Sequence, residues 1–439
     1  GQDLIIFNLM RSHILAALVL GLIFQSCSNK KKVIASRADY DKYITLSLQA
    51  SNHPAVEMKF WFDRLANDPG DETSLVKLAG LYAERFKLTG LIQDMALSDS
   101  LYQLVLRRTP GGNVDIYQCL AANAITQHRF RLAGEYANKA LALRDKRAAS
   151  LLILADVSLE LGDIAGANRI LRQMKNKHAF AYLIRAAKVK DHEGNLDSAI
   201  VLMERAYDRI KGNKGSAQWT LSNLADMYGH AGRIEEAYKA YLTVLSHDPQ
   251  DSYALKGIAW IALSNDHNVA DARAIMNALA SRKRMPDAYL TLAEIAALEG
   301  NAKVKDQNLR MFTQLASAPA YKTMYHKYLA NLEADEFGHP DVCISIANEE
   351  IKNRPTPQSY DLLAWGYYRK NDFAKAIAVA SRYVENQTSE PDALYHLGMI
   401  YKAAGNKDVA QHYLTHALAS EFELGPSITQ EISTALKAP

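Results

Sequence analysis

The sequence predicts an all-α fold, a solenoid of about ten helix–turn–helix units closed by a C-terminal capping helix. Three observations lead there. Alternating apolar–polar runs of the kind that form strands are nearly absent. A leucine–alanine-like pair recurs at Leu78-Ala79, Leu120-Ala121, Leu154-Ala155, Ala186-Ala187, Leu224-Ala225, Ile258-Ala259, Leu292-Ala293, Leu329-Ala330, Leu363-Ala364 and Leu397-Gly398, and five of its nine intervals are 34 residues. Seven positions after the pair's second residue, glycine or asparagine repeats: Gly162, Gly194, Gly232, Gly300, Asn371 and Gly405. Those residue types suit the left-handed conformation that closes a helix.

The chain of 439 residues is 49% hydrophobic and 23% charged, with a formal net charge of +3. That is globular composition with ample core material. The balance of charge lacks the clustered basic face that nucleic-acid binding requires, so no nucleic-acid partner is expected. Three cysteines, Cys27, Cys119 and Cys343, stand far apart and give neither a disulfide framework nor a CxxC metal signal.

The N-terminus reads "RSHILAALVLGLIFQSCSNKKK". The eleven apolar residues Ile14–Phe24 span about 16 Å as a helix, too short for a hydrocarbon core of about 30 Å. They fit the hydrophobic region of a signal peptide, with Arg11 before it and Met10 where such a peptide would start. The stretch "FQSC" resembles the lipobox of a bacterial lipoprotein, looser than the commonest pattern, as in the Bacteroidetes-type lineage. The resemblance implies lipidation at Cys27, an outer-membrane anchor through Ser28 sorting, and a fold facing the periplasm. The plainer alternative is a secretory signal with an incidental cysteine. Residues 1–27 are thus read as upstream residues plus signal peptide, 28–37 as a polar tether, and 38–71 as a degenerate helical pair ending at "NDPGD".

From residue 72 to 424 each unit reads as two antiparallel helices. Small residues repeat on the second helix as well, at Ala133, Ala167, Ala199, Ala237, Ala376 and Ala410, and allow close helix approach. Prolines at Pro249, Pro286, Pro355, Pro357 and Pro391 mark seams, since proline cannot continue a helix interior. The stretch 219–249, "WTLSNLADMYGHAGRIEEAYKAYLTVLSHDP", resembles the tetratricopeptide repeat at nearly every position. The resemblance covers 72–424 and implies a right-handed superhelix whose concave groove holds extended peptides. Residues 425–439 read as the capping helix. Longer intervals place extra residues around 88–100, 211–216 and 316–322, where tolerated loop variation is the plain reading and local bending or partner contact the functional one.

Motifs of catalysis are missing: no HExxH, GxSxG, Walker loop or GxGxxG occurs, so no enzyme activity, metal or cofactor is expected. His412 and His416 share a helix face without an evident third ligand. Cys119 and Cys343 read as inert core thiols.

The stripe beside the core-facing positions of each first helix is where a tetratricopeptide groove would hold a partner. It carries Lys188, Asp191, Trp219, Asp226, Tyr253, Lys256 and Trp260 in the middle units, then Trp365 and Tyr368. Aromatic residues are enriched at binding hot spots, and packing between repeats is their alternative role. The expected function is a scaffold or adaptor at the cell envelope that binds a protein partner. The alternative is glycan binding in an uptake or polysaccharide-export system.

Overall fold

The computed structural model describes residues 32–46, 53–282 and 285–437. Cys27 and the signal peptide lie outside the described residues. Among the described residues the regular elements are all helical. Ten antiparallel helix pairs span 72–108, 114–142, 147–172, 180–210, 214–247, 252–282, 286–316, 326–353, 357–383 and 391–418, numbered here as units 1 to 10. The sequence-predicted solenoid is the observed fold.

Local chemistry explains the turn inside each unit. Gly162, Gly194, Gly300, Asn371 and Gly405 all adopt positive φ, between 61° and 80°. The next residue, Asp163, Asn195, Asn301, Asp372 or Asn406, caps the second helix with its side chain. Its own N–H returns to the first helix, as from Asp163 to the Ser158 carbonyl at 2.8 Å. One dipeptide therefore ends one helix and starts the next.

Between the two helices, Ala121, Ala155, Ala187, Ala225, Ala259, Ala330 and Ala364 have no accessible surface, and neither do Ala133, Ala167, Ala199 and Ala376 on the partner helices. A larger side chain there would force the helices apart. Unit 10 takes this furthest: a Cβ added at Gly398 would lie 2.5 Å from Leu414 Cγ.

The solenoid is wound tightly enough for successive superhelical turns to touch. Unit 1 meets the start of unit 8 where Ile92 and Met95 bury against Tyr321. The His128 carbonyl of unit 2 accepts from Thr323 Oγ1 at 2.9 Å and Asn353 Nδ2 at 2.7 Å, both of unit 8 or its approach. Arg354 Nη1 reaches Glu160 of unit 3 at 3.1 Å. Gly194 of unit 4 lies beside Ser389, just before unit 10. From unit 2 to unit 8 is a step of six, so about six units complete one turn. The extra residues around 88–100 and 316–322 are neither spare loops nor bends: they lengthen helices and supply the apolar residues that join the turns.

The N-terminal stretch differs from the expected tether and helical pair. The helix His53–Asn67 packs on unit 1, but residues 32–46 cross to the outside of units 5 and 6. Ile34 and Ala35 donate their N–H groups to Asp266 at 3.0 and 2.7 Å, and Ser36 N–H reaches the Tyr238 hydroxyl at 3.0 Å. The helix Arg37–Ile44 buries Tyr40 and Tyr43 in the central core. Arg282 binds the carbonyls of Tyr43 and Ile44 at its end. Burial of two tyrosines, with charge-assisted bonds at both ends of the strap, outweighs pairing with the neighbouring helix.

Residues Glu421–Lys437 follow unit 10. Leu424, Ile428 and Ile432 cover its apolar face, as a capping helix should. The beginning of this segment also reaches the middle units.

Candidate functional site

The inner face of units 5 to 8 is formed by first helices lying side by side. On Lys214–His230, Asp226 accepts hydroxyl hydrogens from Tyr241 and Tyr253. Tyr241 is buried, and only glycine at 257 admits its ring, since a Cβ there would fall 2.3 Å from Tyr241 Cζ. Burial first, and then the Asp226 charge, hold both hydroxyls protonated far above the ordinary tyrosine range. Lys256 lies over the Tyr253 ring at 5.6 Å and binds Asp287 of unit 7 at 2.7 Å. Further along, Lys327 binds Asp392 at 2.6 Å, joining units 8 and 10 across the inside of the superhelix.

This network fixes the polar groups while leaving aromatic surface in water. Tyr253 is 44% exposed, Trp219 42% and Tyr328 45%. Trp219 stands at the position in unit 5 that Tyr253 takes in unit 6, so the two present neighbouring rings. Polar groups already held in place, with aromatic faces beside them, suit contact with another chain at low ordering cost.

The structure therefore brings Asp226, Tyr253 and Lys256 together, and Trp219 adjoins them on the same row. Lys188 is half-buried and Asp191 exposed on Phe180–His192, apart from the Asp226 network. Two expected groove tryptophans are covered. Trp365 is 2% exposed, stacks on His396 at 4.0 Å and on Tyr368 at 4.6 Å, and donates to Asp335 at 2.9 Å. It is core, and Tyr368 packs with it. Trp260 is part-buried beneath the C-terminal segment, donating to the Phe422 carbonyl at 2.8 Å. Both occupy the expected stripe, but the next repeat covers one and the end of the chain covers the other.

Sequence reasoning passed over Asp287, Tyr328 and Asp392, which continue the network, and Gly229, Ser264 and Glu294, which receive the C-terminal segment. The recurrence of charge on the stripe was the available signal for the first three.

Elsewhere, His416 Nδ1 turns to the His412 carbonyl at 2.7 Å. Among the described residues no group of three or more His, Cys, Asp or Glu side chains is placed to hold a metal. Cys119 and Cys343 are free thiols; burial raises both pKa values, that of Cys343 to about 12. Among the described residues no helix is long and apolar enough to cross a membrane. A cavity of about 370 Å³ opens between units 2 and 1, lined by Asp99, Gln103, Arg129 and Tyr136 among others.

Tetratricopeptide repeat models match residues 391–423 and 218–238. No curated protein matches the chain. Among solved structures, the human IFIT1 dimer with PPP-AAAA is similar at 16% identity and TM-score 0.43, over 84% of this chain and 88% of that one. PilW, a type IV pilus biogenesis factor, is similar at 16% identity and TM-score 0.38, over 48% of this chain and 97% of its own. A tetratricopeptide repeat protein from Parabacteroides merdae is similar at 19% identity and TM-score 0.33, over 66% and 97%. The chain carries tetratricopeptide repeats, at 218–238 and 391–423, within an all-helical superhelix.

Proposed function

We propose that this chain is a non-enzymatic scaffold that binds a segment of a protein partner along the inner face of units 5 to 8. The observation that carries the reading is the exposed pair Trp219 and Tyr253 beside a polar network that is already paired. Tetratricopeptide repeats serve protein recognition, which agrees with it. Carboxylates at Asp226, Asp287, Asp392 and Glu423 outnumber Lys256 and Lys327 on this face, an arrangement that repels a phosphate backbone and supports a protein over a nucleic acid.

In the same proposal the chain is held at the outer membrane by lipid on Cys27 and faces the periplasm, as a lipobox-like "FQSC" implies. Two or three acyl chains hold a protein stably, at about 0.8 kcal/mol per buried methylene.

Glycan binding is the second reading. It is favoured by the cavity at Asp99, Gln103, Arg129 and Tyr136, where hydrogen-bonding side chains surround an aromatic ring. A photo-crosslinking residue at Trp219, compared with one at the outer residue Lys303, separates the readings. Discrete crosslinked protein from position 219 alone supports the scaffold. Equal or no crosslinking at both positions overturns it.

A further inference from the structure

The start of the C-terminal segment enters the inner face one helical turn beyond Asp226 and Lys256. The helix breaks at Gly425 (φ 81°, ψ 171°), and Pro426 follows. Proline has no N–H, so the carbonyl four residues earlier, that of Phe422, loses its helical partner. Two side chains of unit 6 replace it: Trp260 Nε1 and Ser264 Oγ each donate to this oxygen at 2.8 Å. The Phe422 ring lies against Gly229, where a Cβ would come within 2.8 Å of it. Gly425 passes equally close to the Trp260 ring. Glu423 faces His230 at 3.9 Å, and the Ser427 N–H faces Glu294 at 3.5 Å.

The receiving surface has the features of a built seat. A glycine clears space for a ring, and two donors converge on one carbonyl. Ser264 belongs to the π-helical turn Ile261–Asn265, a widened geometry that re-aims side chains and recurs at functional sites. The occupant fits less completely. Burial raises the pKa of Glu423 and of Glu294, and their nearest partners stand at distances too long for strong hydrogen bonds. Trp260 keeps part of its surface in water. An imperfectly paired segment at the chain end opens at lower cost than the core around it.

We propose that Gly229, His230, Trp260, Ser264 and Glu294 form a recognition site for a turn of a protein partner with an aromatic residue four positions before a proline, and that the chain's own Phe422–Pro426 turn fills it until that partner arrives. An acidic residue next to the aromatic would face His230, as Glu423 does. The inference deepens the reading of the inner face as a protein-binding surface and rests on it.

The test uses a fluorescent peptide with the sequence of Ala419–Ser427 and the chain from Lys32 to its end. The tethered copy competes at an effective concentration on the order of millimolar, so the wild-type chain binds the free peptide weakly. Phe422→Ala should bind it about tenfold tighter or more. Peptides with alanine in place of the phenylalanine or of the proline should lose that gain, and so should Gly229→Val combined with Phe422→Ala. Should Phe422→Ala fail to fold, Phe422→Leu gives the same comparison with a smaller gain. A folded Phe422 variant that binds no tighter than wild type, or that binds the proline-free peptide equally well, overturns the proposal. Crosslinking from Trp219 that persists alongside such a result rejects the seat and leaves the protein-binding surface standing.

Discussion

Ile92 and Tyr321, separated by more than six repeats of chain, bury their side chains against each other and join one turn of the superhelix to the next. In a simple solenoid each unit rests on its neighbours alone. Here a second set of contacts, roughly 195 to 225 residues apart, ties units 1 to 5 to units 8 to 10 and beyond. Ile92→Ala and Tyr321→Ala should therefore each cost about 2–5 kcal/mol, and the double variant less than their sum by about 0.5–3 kcal/mol. Denaturant titration of the four proteins measures the coupling, and strict additivity would mean that the turns separate in solution.

Hydrogen exchange checks the same relationship over the whole chain. Leu224→Ala removes a buried side chain of unit 5. Its effect should spread to 421–427 as well as to units 4 and 6, because Phe422 rests on Gly229. Exchange that rises only in the flanking units would restore the nearest-neighbour description.

The strap at 32–46 depends on Asp266, which accepts two N–H groups. A hydrogen bond to a charged acceptor contributes about 1.5–3 kcal/mol. Asp266→Ala should release the strap, with faster exchange across 32–46 and early proteolysis there, while the repeats stay protected.

His396 gives the fold a pH dependence. Burial alone would keep this imidazole neutral, but Asp361 at 2.8 Å, with Asp392 and Asp335 beyond it, raises its pKa above the ordinary value. A raised folded-state pKa contributes stability that is full below the unfolded value of about 6.5 and is lost as pH rises through the folded value. The melting temperature should fall between about pH 6.5 and the folded pKa, and Asp361→Asn should flatten that fall. A wild-type profile that rises over this range would reject the assignment.

Lipidation is tested apart from the fold. Cys27→Ala should abolish acyl labelling and release the chain from the outer-membrane fraction. Undiminished labelling would reject the anchor.

The repeat was legible because its causes are local. A left-handed glycine after a helix and an alanine where two helices cross each leave their mark within a few residues, and the mark recurs every 34. The asparagine or aspartate after that glycine was equally visible and serves as the second helix's cap. The joining of turns was not legible, since it arises from small rotations accumulated over six units and leaves no period of its own. The stripe identified the side of the helix on which Trp260 and Trp365 lie. It carried no information about His396 or Phe422 covering them. Trp365→Ala should thus cost about 3–5 kcal/mol of stability, as expected for a large aromatic in the core.

Trp219 carries the central claim, because it is exposed and lies on the face proposed to bind. With a partner identified by crosslinking, affinity and melting temperature are measured on the same preparation of Trp219→Ala. The account predicts a melting temperature within about a degree or two of wild type and a dissociation constant raised about thirtyfold, equivalent to roughly 2 kcal/mol. Unchanged affinity with an unchanged melting temperature would contradict it.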